Sequence, residues 1–461
     1  MGSTWASKSV DEPPPIDCPS PRHPGLKALL AFVTQRIRRA GARSLVLFAA
    51  LFLVVPALVR LTPASWHRHW TWSQATSSNL RIVVFGSQDL LGSASGRPTW
   101  TERLCIELGC SSHFSLVPPA GSSHGLTSNG IYADEIHALE ERMKKTDLAK
   151  SPALNYSFVA EQYPVSAQTP DLEAQLQRFL SRQPAAVAPH STLWVFTFGT
   201  WDIWNLAALP RESSEHAIDA LVSHLFSQVE VLYGDSLHRR SIAYSDFWAG
   251  VAKSDVERLA DPGAQGRVDE REQEGFRIVI PDLLDVTLTP GWQTRPEPPA
   301  PHSKAEQMRN AAFLTKRWNS KVGEELGRWV AKGRARPEAM ELSDQPEGKY
   351  PAAILQTGKG GLMDGPYPRR AGMRSTPAAT ILDAMTEQEV QRTGLSKEHA
   401  AIGMLDVSTP CVEGDETCST PDAHLFHDAF TVGQRAAEGA VRVTAERISE
   451  ELILSPRGRA L

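Results

Sequence analysis

The sequence predicts an α/β fold, a three-layer α/β/α sandwich with a parallel sheet, preceded by one transmembrane helix. Three observations carry this reading. Short apolar runs of strand character alternate with stretches whose apolar residues recur at helical spacing. Each run is apolar throughout rather than alternating, as strands covered on both faces are. One stretch near the N-terminus, Ser44 to Val59, holds no charge at all.

From the N-terminus, residues 1–43 read as a disordered basic tail in the cytosol. Pro13, Pro14, Pro15, Pro19 and Pro21 oppose regular structure, and Lys27, Arg36, Arg38, Arg39 and Arg43 concentrate positive charge ahead of the apolar stretch. Residues 44–62 read as a transmembrane signal-anchor whose partner is the lipid bilayer. The uncharged run is shorter than the ~20 residues a spanning helix prefers, but Arg43 and Arg60 can snorkel and Leu61 extends it. The positive-inside rule then makes the chain a single-pass type II protein with its outer domain lumenal or extracellular. Trp66, Trp70 and Trp72 come next, where an interfacial aromatic belt sits. A cleaved signal peptide ending near Thr62-Pro-Ala64 and a buried core helix are the competing readings. Residues 63–80 read as a linker.

Residues 81–333 supply the first part of the domain. Strands are predicted at Arg81–Gly86, Thr192–Gly199, Arg240–Asp246 and Gly275–Asp282, with a weaker one at Asn155–Ala160. Helices are predicted over Asp171–Ser181, Glu212–Tyr233 and Ala305–Val330. Proline crowds Thr289–His302, which reads as an excursion from the core. Residues 334–396, dominated by Gly, Pro and charge, read as a low-order insertion. Residues 397–455 resume the apolar pattern at Ala401–Val407 and close with a helix from Val432 to Leu454.

Charge excludes one class of partner. With 48 Lys and Arg against 53 Asp and Glu there is no basic field to track phosphates, so no nucleic acid is expected. The five cysteines sort by position: Cys18 precedes the apolar stretch and stays reduced in the cytosol, while Cys411 and Cys418 form a close pair that is expected to be a disulfide on the outer side. Cys105 and Cys110 fit either a second disulfide or two buried thiols. Asn155-Tyr-Ser157 is a glycosylation sequon, placed on a possible strand that would hinder it. No metal or organic cofactor is implied by any spacing, and no protein partner can be named.

In open parallel sheets, active groups lie in loops just past the carboxyl ends of the strands. Three loops qualify: Gly86-Ser-Gln-Asp-Leu90, Gly199-Thr-Trp-Asp-Ile-Trp204, and Cys418 to Arg435, which contains Phe426-His-Asp428 and Thr431. On these residues the chain resembles the SGNH, or GDSL, family of esterases and lipases, especially its fungal members. The first block of that family reads F-G-D-S after the first strand, the third G-x-N-D after a middle strand, and the last F-W-D-x-x-H-P-T before the final helix. Phe85-Gly86, Gly199 with Asp202, and Phe426 with Asp428 match in order and spacing.

The resemblance implies acyl transfer, in which a serine attacks, a histidine takes its proton and an aspartate three residues earlier orients that histidine. Backbone amides of the serine and of a second-block glycine, with the third-block asparagine, hold the oxyanion. Here the serine position is Gln88, the asparagine position Trp201 and the histidine position Thr431, and the second block falls near Val159-Ala-Glu161 with no glycine. Asp428 alone is retained. Glutamine is no nucleophile and threonine no base near neutral pH, so the expectation is a catalytically impaired pseudo-hydrolase. It would bind a glycan or acyl ligand through Gln88, Asp89, Gly199, Trp201, Asp202 and Thr431.

Two alternatives use the same residues. A shifted arrangement of Ser87, His427 and Asp428 would make an active ester hydrolase, although a one-residue shift at a strand end turns the side chain to the other side. The chain could instead be a membrane scaffold for a partner enzyme. Elsewhere, His216 and His224 share a helix without a third ligand, His302 and Lys304 are expected to cap or flank the next helix, and Asp246 and Asp282 to cap the segments after their strands.

Overall fold

The run Leu-Arg-Ile-Val-Val-Phe-Gly forms β1 (Leu80–Gly86), buried along its whole length because consecutive side chains point to opposite, covered faces. The computed structural model describes residues 80–88, 90–92, 98–119, 124–146, 151–165, 169–248, 253–260, 275–335, 366–393, 404, 406–413 and 416–452. The expected tail, signal-anchor at 44–62 and most of the linker lie outside these residues. Among the described residues no helix is long and apolar enough to cross a membrane.

After β1 come α1 (Trp100–Glu107), β2 (Ser112–Ser115), α2 (Asn129–Thr146), α3 (Phe158–Gln162), α4 (Leu172–Leu180) and β3 (Ser191–Thr197). The chain continues through α5 (Thr200–Leu206), α6 (Arg211–Ser236), α7 (Lys253–Ala260), β4 (Gly275–Pro281), α8 (Lys304–Ala331), β5 (Arg369–Ser375) and α9 (Pro377–Arg392). It ends with β6 (Asp406–Pro410), the short β7 (Val412–Glu413) and β8 (Glu416–Thr417), β9 (His424–Phe426) and α10 (Gln434–Glu451). Helix starts obey local chemistry. Thr99 and Glu102 close a capping box on α1, Asp171 caps α4 through Ala174 N, and Ser303 caps α8 through Glu306 N.

The main sheet has five strands in the order β2-β1-β3-β4-β5. Every pairing is parallel, with Val84 opposite Val195 and Val195 opposite Val279. Val83, Phe85, Trp194, Phe196, Phe276 and Ile278 face a core shared with α2, α4, α6 and α8. Ile82, Val84, Leu193, Val195, Val279 and Met373 face a second core shared with α1, α9 and α10. Helices therefore cover both faces, which is why the central strands β1, β3 and β4 read as unbroken apolar runs. The chain leaves β1 to one side for β2 and returns on the other for β3, so the loops after β1 and β3 diverge around a crevice.

Several expectations are corrected. Arg240–Asp246 is not a strand but a series of turns. Arg81, on β1, reaches across to it: Nη1 donates to Ile242 O at 2.8 Å, while Nε donates to Thr192 Oγ1 at 3.1 Å. Asn155–Ala160 is a 3₁₀ turn end leading into α3. The insertion is only partly one. Its residues 336–365 lie outside the described residues, but Arg369–Ser375 is the fifth strand and Pro377–Arg392 a helix. Arg370, fully buried on β5, donates to Glu230 Oε1 of α6 at 2.5 Å and lies 3.9 Å from the Tyr233 ring centre. Charge on this edge strand is satisfied by partners far away in sequence.

Candidate functional site

At the end of β1, the Gly86 N–H donates to Gln175 Oε1 at 2.9 Å and its carbonyl accepts from Gln175 Nε2 at 2.8 Å. A side chain at Gly86 would overlap the Thr197 hydroxyl, so β1 and β3 meet closely there. Ser87 is buried in that contact. Its hydroxyl donates to Thr197 O at 3.3 Å, and Thr197 Oγ1 donates back to Ser87 O at 3.1 Å. Gln88 extends its amide toward Pro118 O at 3.5 Å. Asp89 lies outside the described residues.

Beyond β3, Gly199 takes a positive φ of 119° to start α5, and a Cβ there would overlap Leu283 and Trp318. The turn delivers Trp201 into the crevice, where its Nε1 donates to Gln88 O at 2.6 Å. His124 stacks on the indole with ring centres 3.3 Å apart and planes 5° from parallel, and Phe430 meets it edge-on at 5.0 Å. The rest of His124 is exposed to solvent, and desolvation against its neighbours lowers the imidazole pKa. Asp202 is buried beneath, accepting from Thr127 N at 3.0 Å and Thr127 Oγ1 at 2.7 Å. Burial outweighs these bonds and pushes its carboxyl pKa up to about 6.

The third loop is held by pairing of β6 with β9 and by the Cys411–Cys418 disulfide across β7 and β8. Cys105 and Cys110 are likewise joined, so the disulfide is the alternative realised. Asp428 Oδ1 accepts from Phe430 N at 2.9 Å and from Thr431 N at 2.7 Å, while Thr431 O accepts from His427 N at 2.7 Å. The carboxylate thus closes its own turn. Val432 N donates to Leu90 O at 2.8 Å, anchoring this loop beside the one after β1.

Gln88, Trp201 and the Asp428–Thr431 turn therefore gather at one end of the sheet, and Ser87 lies beneath them with its hydroxyl engaged between strands. The sequence reading missed His124 and Gly125. These come from the loop after β2, and a Cβ added at Gly125 would sit 3.7 Å from that of Ser87. Val159–Glu161, expected in this place, belongs to α3, with Val159 in the core. The run Gly121-Ser-Ser-His-Gly125, rich in small residues, was the signal available. Of the remaining candidates, Asp282 does not cap but binds Arg374 bidentately at 2.6 and 2.8 Å, and His216 pairs with Glu135 at 2.5 Å. His302 and Lys304 flank the start of α8, as expected, while Ser303 between them is the cap. His302 donates from Nε2 to Asn155 O at 3.1 Å.

These features define a parallel α/β protein whose crevice at the carboxyl edge of the sheet is lined by a stacked indole and imidazole. Comparison with models of known protein families, and with curated proteins, finds no match for the sequence.

Proposed function

We propose that the chain is a membrane-anchored, SGNH-like pseudo-hydrolase that binds a glycan or acyl ligand at the carboxyl edge of its sheet and does not hydrolyse it. The strand order and the convergence of the three loops support the family reading. Gly125 beside Ser87 adds a glycine where the resemblance implies one. The single observation that carries the loss of catalysis is the hydroxyl of Ser87, buried and donating to Thr197 O at 3.3 Å rather than to an imidazole. Asp428 directs its carboxylate to its own turn amides, so among the described residues it orients no base. The exposed imidazole of His124, backed by Trp201 and flanked by Phe430, offers a flat aromatic platform for a sugar ring or acyl chain.

Reaction of the full chain with a fluorophosphonate probe tests this. No labelling is expected under conditions that label an active hydrolase of the same family. Labelling abolished by Ser87→Ala would overturn the proposal in favour of an active esterase.

A further inference from the structure

Asn155-Tyr-Ser157 is the one Asn-x-Ser/Thr sequon of the chain. On a buried strand its backbone would be paired on both sides and its side chain pressed against a packed layer. The local structure is different. Asn155 ends the 3₁₀ turn Pro152–Leu154, and Ser157 stands just before α3. The Asn155 backbone is held by the turn itself, its N–H donating to Pro152 O at 3.4 Å, and by the His302 imidazole 3.1 Å from its carbonyl. Neither bond uses the side chain. Pro152, Ala153, Leu154 and Ser157 around it are exposed, so a bulky group has room at this turn.

The two ends of the Asn155 amide are used differently. Oδ1 accepts from Ser157 N at 3.0 Å, whereas Nδ2 makes no bond among the described residues and is not an enclosed atom. Because both atoms diverge from one carbon, engaging the oxygen with the turn leaves the nitrogen on the far side of that bond. Replacing one Nδ2 proton by a sugar carbon leaves Oδ1 accepting from Ser157, so the turn survives the modification. The Ser157 hydroxyl, which the sequon also requires, is not spent as a cap on α3.

We infer that Asn155 carries an N-linked glycan. The donor class is a lipid-diphosphate-linked oligosaccharide. The bond from Nδ2 to the sugar C1 forms as the bond from C1 to the phosphate oxygen breaks, Nδ2 gives up one proton, and the lipid diphosphate leaves. Enzymes that make this transfer face the lumen of the secretory pathway, so the inference rests on the reading of residues 44–62 as a signal-anchor. Leu154, 45% exposed, directly precedes the modified residue, and the glycan shields apolar surface there. It also keeps this turn out of any protein interface.

The test is expression of the full chain in eukaryotic cells, followed by digestion with peptide-N-glycosidase. One mobility shift is expected, with Asn155 converted to aspartate in the mass spectrum. Ser157→Ala keeps the backbone N–H that bonds Oδ1 and is expected to abolish the shift. A reporter sequon, Ala185→Asn with Val187→Thr in the exposed loop before β3, is added to the Ser157→Ala chain to read topology. A glycan on the reporter but none on Asn155 of the wild type shows that the domain is lumenal and overturns the inference. Glycan on neither overturns the signal-anchor reading and the inference with it. A wild-type shift that persists in Ser157→Ala places the sugar elsewhere and also overturns it. None of these results depends on whether the crevice at the sheet edge is catalytic.

Discussion

The indole Nε1 of Trp201 donates to the backbone carbonyl of Gln88 at 2.6 Å, tying the helix after β3 to the loop after β1 across the crevice. On the SGNH-like reading proposed above, both would occupy positions of catalytic groups. Here one braces the other.

Trp201 is 4% exposed and packs on His124, Trp204 and Phe430. Trp201→Ala is expected to cost roughly 3–5 kcal/mol of stability, the range for emptying a buried tryptophan site. Urea unfolding measures this. A loss of less than ~1 kcal/mol, within the reach of an ordinary surface change, would mean that the indole does not brace the crevice.

Asp202 gives a pH dependence of definite sign. Its carboxyl pKa is raised by burial from 3.8 to about 6, so the folded state holds the proton more tightly than the unfolded chain. The associated stability is fully present below about pH 4 and is lost as pH rises through about 6, an effect of up to ~3 kcal/mol. Asp202→Asn keeps an acceptor for Thr127 and should remove this term. Unfolding free energies of both proteins from pH 4 to pH 7 are expected to diverge accordingly, and parallel curves would refute the assignment.

Glu230 accepts from Arg370 and from Trp329 Nε1, the latter at 2.9 Å, joining β5 to α6 and α8. Removing one partner leaves the other charge buried alone. Glu230→Ala is therefore expected to destabilise by about 3–5 kcal/mol, read as a shift in denaturant midpoint. Replacing Glu215, whose pair with Arg317 is more exposed, should cost under ~1 kcal/mol.

The Cys411–Cys418 bridge closes a short loop beneath the Asp428 turn, with a sequence separation of 7. Loop-closure entropy for so small a ring gives about 2.5 kcal/mol. The double substitution to serine should lower the unfolding free energy by that amount, read from denaturant titration. It should also raise hydrogen exchange at Thr431 N and Phe430 N before the main sheet is affected.

Three of the five sheet strands, β1, β3 and β4, were legible because their residues are apolar on both faces. β2, Ser-His-Phe-Ser, and β5, with three arginines in seven residues, were not. Edge strands need not be apolar, and the groups that neutralise Arg370 and Arg374 stand 140 and 92 residues away. The opposite error arose at Arg240–Asp246, whose Ala243 is buried and whose Ile242 and Tyr244 pack against the core, while the carbonyls of Ile242 and Tyr244 accept from Arg81 instead of a neighbouring strand.

By itself the sequence determined the parallel α/β class, its central strands, the helices α4, α6, α8 and α10, and the chemical identities of Gln88, Trp201 and Thr431 at the three loops, while α2 and α9 went unread. What it determined comes from side-chain type and short-range periodicity, which covalent neighbours set. Only the tertiary structure decided that the Ser87 hydroxyl faces Thr197, that Asp428 serves its own turn, and that Gly125 lies beside Ser87 and His124 on Trp201. Each of those outcomes depends on which backbone or ring lies within a few ångströms after packing. That proximity is set by the closure of the sheet and its helices, not by spacing along the chain.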